Sequence, residues 1–383
     1  MIRVGFLLNF PVEYKGGINY LKNLFYAVHK FHSEEIKIVL FVPDDLEQEY
    51  ILMFCDYAEI IKTKIIQRKS LAWFVSKVGQ KALNYDLLTN SLLHRHRINV
   101  ISHSNYVYPG NKIKTINWIP DFQRLHYPHL WNKKQLKSEQ KLHQGWVEKS
   151  DRIVVSSYDA LKDLASLYPE YQKNTKVLHF VSQPDILKYQ EERDISKYTN
   201  GKYYYLPNQF WEHKNHLVVF KAVKILKDRG INIVVLTSGL MNDFRNNDNH
   251  VNKLRAYVND NQLDQNIRFL GLIPYLDVLQ LIKSSLAVIN PSFFEGWSST
   301  VEESKSIGKK IILSNIEVHK EQCPKFGFYF DPTNEIELAF ILENLWNAEQ
   351  NEPEETKEEL LRLLDINTKS FSDNYRSIIF ELF

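Results

Sequence analysis

The chain has 383 residues, with 48 Lys and Arg against 46 Asp and Glu and a formal net charge of +2. Hydrophobic residues make up 44% and charged residues 25%, which excludes a disordered chain, and the length suits two domains better than one core. Cys55 and Cys323 belong to no C-x-x-C or metal-spaced cluster, which argues against a disulfide scaffold or a zinc site and for a reducing, cytoplasmic setting.

The opening stretch MIRVGFLLNFPVEYKGG has a short apolar run and no small-residue cleavage site, so it reads as a first buried strand at 2–8 rather than an export signal. Apolar runs then alternate with amphipathic stretches. A helix at 18–31 is followed by strands at 36–42 and 60–66, a helix at 71–93, and strands at 99–102, 115–118 and 152–156. Around 180–199 the pattern lapses into polar and charged residues, which reads as a linker at 183–200 between a first domain, 1–182, and a second, 201–367. The second series has strands at 203–206, 232–237, 267–270, 286–290 and 310–314. Helices are expected between them at 215–227, 251–259 and 275–283, and from Ser299 to Gly308. This alternation predicts an α/β chain with parallel sheets covered by helices. The tail from Glu352 is acidic and ends in SFSDNYRSIIFELF, apolar at helical spacing. No window approaches the ~18 apolar residues of a transmembrane helix.

The small net charge conceals an asymmetry. Residues 1–180 hold 25 basic and 17 acidic side chains, residues 181–383 hold 23 and 29, as expected of two bodies with different partners. Part of the basic excess lies in Lys62, Lys64, Arg68, Lys69, Lys77, Lys81, Arg95 and Arg97, against a lone Asp86. Two readings fit this basic, aromatic-bearing stretch: a helix with Lys and Arg on its solvated face, or a peripheral contact with an anionic membrane surface. Nucleic-acid binding lacks a recognised module.

The chemistry concentrates in PSFFEGWSSTVEESKSIGKKIILS. A buried strand ends near Asn290, a loop follows, and Ser299 with Glu302 forms an S-x-x-E capping box for a helix that Gly308 terminates. Glu295 at the strand's end and Glu303 in the first helical turn flank the free N–H groups of a helix N-terminus, which suit a phosphate. Two carboxylates around phosphate donors fit a sugar nucleotide. A helix start that favours acidic residues is the plainer alternative.

Glu295 and Glu303, preceded by Pro291-Ser292, resemble the E-x7-E signature of the family-four retaining glycosyltransferases. Gly16-Gly17 after the first strand, Asn208 to Asn215 (NQFWEHKN) and Phe269-Leu270-Gly271 resemble further motifs of that family, in its order. The resemblance implies a GT-B architecture, two Rossmann-like domains facing a central cleft, with the helix at 368–383 packing back on the first domain. It implies a hexose transferred with retention from a GDP-, UDP- or dTDP-linked donor to a glycan or lipid-linked acceptor in surface-polysaccharide synthesis, on the cytoplasmic side of the membrane.

The same resemblance assigns roles. Glu295 positions sugar hydroxyls, Glu303 holds the ribose, and Lys214 neutralises the departing diphosphate together with the amides near Ser298, Ser299 and Thr300. A lysine at a helix start opposes the dipole preference, which favours function over a plain surface residue. The family arginine six residues before Lys214 is Asn208 here, and Arg268 or Lys305 could compensate. Gly16 and Gly17 allow close backbone approach by the donor, although glycine is also common at βα turns. Where relatives carry His-Asp this chain has Pro120-Asp121, so Asp121 takes part of that role and His126 stands nearby. His103 and His179 read equally well as core or functional residues. Gly239 and the segment Gly271, Leu272 to Pro274 are the expected base contacts, and Glu321 in NIEVHKEQ a further nucleotide or sugar contact. No Asp-x-Asp motif is present, so a reaction without metal or cofactor is expected. A non-catalytic sugar- or nucleotide-binding protein is the rival reading. A nicotinamide dehydrogenase lacks the G-x-G-x-x-G fingerprint, and a periplasmic binding protein lacks the export signal.

Overall fold

The computed structural model describes residues 1–9, 15–83, 86–182, 193–242, 249–348 and 356–383. Within them the chain forms two compact units: 1–122 with 133–181 and 366–383, and 123–132 with 182–365. Of the expected linker, 183–192 lies outside the described residues, as does 352–355 of the acidic tail. Among the described residues no helix is long and apolar enough to cross a membrane.

The first unit holds seven strands: β1 (Ile2–Leu7), β2 (Ile36–Pro43), β3 (Glu59–Thr63), β4 (Val100–Ser102), β5 (Lys114–Ile119), β6 (Arg152–Val155) and β7 (Thr175–Val177). Their order is β3-β2-β1-β4-β5-β6-β7 and every pairing is parallel. The second unit holds β8 (Tyr204–Leu206), β9 (Val235–Ser238), β10 (Ile267–Gly271), β11 (Val288–Asn290), β12 (Ile311–Ser314) and β13 (Gly327–Phe330). These too are all parallel, in the order β10-β9-β8-β11-β12-β13. Both sheets are thus doubly wound and Rossmann-like. In such a sheet the chain reverses its winding beside the first strand, here between β1 and β4 and between β8 and β11. Ligands bind beyond the strand C-termini at that point.

Fully buried aliphatic and aromatic residues line both faces of each sheet. Val4, Phe6, Leu24, Phe25 and Leu40 build one core of the first unit, and Leu206, Phe220, Val235, Ile289 and Leu338 one of the second. The expected single helix over 71–93 is two, Leu71–Leu83 and Leu87–Arg95. Asp86 causes the break: its carboxylate accepts from Thr89 N at 3.0 Å and caps the second helix, while its other oxygen takes Ser76 Oγ at 2.5 Å. The end of the linker is not loose either. Arg193, Lys197 and Tyr198 all reach the carboxylate of buried Asp277, at 2.8, 2.9 and 2.8 Å.

Candidate functional site

At the second unit's switch point β8 and β11 run out side by side, and the segments that follow them are sewn together. Asn208, just past β8, donates through Nδ2 to Asn290 Oδ1 at the end of β11, at 3.1 Å. The next turn, Glu212–Lys214, is held against the loop after β11 by two bonds. Phe293 N donates to His213 O at 2.8 Å, and Asn215, in the left-handed region at φ 54°, donates to Pro291 O at 3.1 Å. This stitching brings Lys214 Nζ to 2.6 and 2.8 Å from the two oxygens of Glu295. Both side chains are nearly buried, 14% and 8% exposed. Burial alone would raise the Glu295 carboxyl, but the Lys214 ammonium and the Ser292 hydroxyl outweigh it and hold it below the usual range.

Behind the pair lies a buried polar network that sequence reasoning did not identify. Ser292 Oγ sits 2.6 Å from Glu295 Oε1 and 2.9 Å from Asn290 Oδ1, two acceptors for one proton. Asn290 Nδ2 donates to Ser298 Oγ at 2.8 Å and faces His319 Nε2 at 3.4 Å. His319 Nδ1 lies 2.9 Å from Ser314 O, so the proton sits on Nδ1 and the ring is neutral. Burial pushes its pKa down to about 4, with nearby Glu295 pulling the other way. The available signal was a run of polar residues at a strand's C-terminal end, where this fold puts its ligands.

The helix that follows is Ser299–Ile307, closed by Gly308 at φ 69°. Its cap is Ser298 rather than Ser299: Ser298 has extended dihedrals and its Oγ accepts from Val301 N. The expected capping box does not form, because Gln322 takes both backbone groups of Ser298, accepting from N at 3.1 Å and donating to O at 2.9 Å. Glu302 instead receives Gln322 Nε2 at 2.8 Å and Lys305 at 3.2 Å. Among the described residues, the N–H groups of Ser299 and Thr300 carry no hydrogen bond. They are the two free amides of this helix start. Thr300 Oγ1 lies 3.4 Å from Asn208 Oδ1, so the side chain of Asn208 is used on both sides.

Glu303 is the fifth residue of the helix, hence in its second turn and not its first. It is 8% exposed, and its Oε1 accepts from Tyr275 Oη at 2.8 Å. Burial raises its pKa to about 7, the Tyr275 bond opposing. Tyr275 opens the helix Tyr275–Ser284 just after the Gly271 to Pro274 segment, in which Leu272 is 73% exposed. Gly239, at φ +149°, donates to Gly271 O at 2.9 Å. A Cβ there would lie 2.4 Å from Asn208 O, so only glycine lets the loops after β8, β9 and β10 close together.

The remaining candidates are scattered. Gly16 and Gly17 lie in the first turn of the helix Lys15–His32, and Asp121 just follows β5, all three in the first unit. His126 belongs to the second unit, exposed, with its ring 5.1 Å from that of Phe294, the neighbour of Glu295. Glu321 is half-buried on the short helix Glu317–Gln322, whose buried residues are Val318, His319 and Gln322. Of the two candidates to replace the missing arginine, Arg268 reaches Tyr198 O at 3.3 Å and Lys305 pairs with Glu302 at 3.2 Å. His103 is a core residue, at φ 51° between Tyr20 Oη at 2.8 Å and Ser102 Oγ at 2.7 Å, and burial pushes its pKa down to about 3. His179 packs its ring 5.4 Å from that of Tyr158. Among the described residues no three His, Cys, Asp or Glu are grouped to hold a metal ion.

Comparison with known proteins adds to this geometry. Residues 188–360 match the family model described as glycosyl transferases group 1. The O-antigen chain mannosyltransferase RfbU of Salmonella typhimurium is 20% identical over 200 residues, covering 52% of this chain and 52% of that protein. The chain therefore spans about half the length of that relative in the match. Among solved structures, a glycosyltransferase from Rickettsia africae ESF-5 superposes with a TM-score of 0.68 at 14% identity, covering 100% of this chain and 97% of that one. HepE of Anabaena, solved with UDP and glucose, gives 0.64 at 13%, covering 97% and 95%. Residues 188–360, which carry the Lys214–Glu295 pair and the Ser299–Ile307 helix, thus match the group 1 glycosyl transferases, and the two parallel sheets have the GT-B fold of glycosyltransferase structures.

Proposed function

We propose that the protein is a retaining, metal-independent glycosyltransferase that moves a hexose from a nucleotide sugar to a glycan or lipid-linked glycan in surface-polysaccharide synthesis at the cytoplasmic side of the membrane. The observation that carries this reading is the buried Lys214–Glu295 pair on the same sheet edge as two unpaired helix amides and a second buried carboxyl, Glu303. A diphosphate needs fixed positive charge and oriented N–H donors, and Lys214 with Ser299 N–H and Thr300 N–H supplies both. Glu295 then turns from Lys214 to the sugar hydroxyls, and Glu303 takes the ribose. Gly239, Gly271 and Leu272 are the proposed base contacts, and Gly16, Gly17, Asp121 and His126 the contacts to sugar and acceptor. Glu321 remains a proposed donor contact.

In the proposed step the bond from the sugar's anomeric carbon to the diphosphate oxygen breaks, and a bond to the acceptor oxygen forms on the same face. The acceptor's proton passes to the leaving phosphate. No residue need act as nucleophile, so Glu295 works by position and charge. The UDP-bound neighbour supports a UDP-linked donor, and the O-antigen mannosyltransferase relative supports a hexose such as mannose.

The test is turnover of a panel of GDP-, UDP- and dTDP-hexoses, followed by mass spectrometry. Lys214→Ala is expected to lower kcat/KM by about 10² to 10³, in the range of lost transition-state charge stabilisation, and Glu303→Ala to raise the donor KM with the fold retained by circular dichroism. Turnover surviving both substitutions would refute the assignment. Stabilisation by nucleotide with no product from any donor would favour the non-catalytic binding protein instead.

A further inference from the structure

The helix Leu71–Leu83 in the first unit is amphipathic in the wrong direction. Its apolar residues Leu71, Phe74, Val75 and Val78 recur at i, i+3, i+4 and i+7, which puts them on one face. That face points outward: the four are 80%, 59%, 49% and 48% exposed. The inward position belongs to a polar residue, Ser76, 6% exposed and bonded to Asp86. Were this a domain helix with a solvated charged face, the apolar stripe would be in the core. Instead a continuous apolar stripe is left without a partner among the described residues.

Its surroundings specify what could cover it. Residues 60–85 contain Lys62, Lys64, Arg68, Lys69, Lys77 and Lys81 and not one Asp or Glu. Lys62, Lys64, Arg68, Lys69 and Lys77 are exposed. The basic loop is fixed to the start of the apolar stripe, since Ser70 Oγ donates to Lys64 O at 2.5 Å and accepts from Trp73 N at 3.0 Å. An apolar stripe with a basic loop at its start and lysine along one flank of the helix, and no Asp or Glu in 60–85, is complementary to an anionic phospholipid surface: acyl chains beneath, phosphates at the rim. A protein partner would meet six positive charges with no complementary acid on this face to set its register.

We propose that the Leu71–Leu83 helix is an interfacial membrane anchor, inserting Leu71, Phe74, Val75 and Val78 below the headgroups of an anionic bilayer while Lys62, Lys64, Arg68, Lys69 and Lys77 engage the phosphates. This does not rest on the donor-site assignment, because no anchor residue belongs to the second unit.

The experiment is flotation of the full chain with phosphatidylcholine vesicles, with and without phosphatidylglycerol. Binding is expected only to the anionic vesicles, weakening as salt rises to about 0.15 M, where screening sets in within ~8 Å. Phe74→Ser with Val78→Ser should cut the partition coefficient at least about tenfold, and Lys64→Glu with Lys77→Glu should remove the preference for anionic lipid. The substituted side chains are exposed, so thermal unfolding of both variants should match the parent protein. Absence of flotation with anionic vesicles at low salt, or equal flotation of parent and both variants, would overturn the proposal. So would a concentration-dependent dimer in sedimentation velocity that Phe74→Ser with Val78→Ser dissolves, since the face would then belong to a second copy. Nucleotide-dependent melting shifts in the same variants read the donor site separately.

Discussion

Glu295 and Glu303 share one helix start and one degree of burial, yet are held in opposite ways. Lys214 keeps Glu295 charged, whereas Glu303 accepts from the neutral phenol of Tyr275 and burial raises it to about 7. For Glu303, the unfolded chain loses its proton near 4.5 while the fold keeps it to about 7, so stability falls as pH rises through that window. The shift corresponds to about 3 kcal/mol. Glu303→Gln should therefore gain up to that amount relative to the parent protein between about pH 4 and about pH 8 in urea unfolding. Tyr275→Phe removes the one bond that opposes the shift, and should move the midpoint of the pH dependence upward. A pH profile unchanged by both would mean that Glu303 is not the group. Glu295 has the opposite sign: its contribution is present above the unfolded value and is lost as pH falls through the lower folded one. Lys214→Met leaves that carboxylate buried and unpaired, at a cost of about 3–5 kcal/mol, which adding Glu295→Gln should largely restore. Sequence reading found both acids and the lysine because their spacing survives as a pattern. It passed over Asn290 and Ser292 at the end of β11, and it could not find His319 and Gln322, since nothing in a linear chain shows that Gln322 reaches Ser298 across 24 positions.

At the level of elements, βα periodicity is a strong local signal, and the strands of both parallel sheets were readable from it except the short edge strands β7 and β13. Ends and breaks were not. The break before Leu87 comes from Asp86 binding Ser76 and Thr89 at once, a tertiary choice inside a stretch whose apolar spacing runs on unbroken. The cap moved from Ser299 to Ser298 for a similar reason: Gln322 supplies the partner that the capping-box glutamate would have supplied. Glycine is more legible, because its absence of a side chain has one geometric use. Gly239→Ala would force a Cβ to 2.4 Å from a backbone oxygen at φ +149°, with no flexible side chain to yield. A loss of about 3 kcal/mol or more is expected, read as a lower melting temperature. Since the clash falls on Asn208, six residues before Lys214, nucleotide affinity should fall with it. Full retention of stability would show that the loop after β9 relaxes freely.

On the scale of the molecule, the chain passes between its two units four times, because residues 123–132 lie with the second and 366–383 with the first. The last passage matters most for folding. The end of the helix Lys357–Phe380 inserts Phe371, Tyr375, Ile378 and Ile379 into the first unit's core, each at most 4% exposed. Tyr375 Oη donates to Ser102 Oγ at 2.9 Å, just beyond the Tyr20–His103 contact at the switch point of that sheet. Burying four such side chains is worth about 6–12 kcal/mol at about 1.5–3 each, comparable with the whole stability of a domain. The first unit is therefore not encoded by the first half of the sequence. A fragment ending at residue 182 should lack a cooperative thermal transition, and a peptide of residues 366–383 supplied in trans should restore one. If the fragment alone unfolds cooperatively, and its transition does not move when the peptide is added, the tail is a surface strap and these four residues do not complete the core.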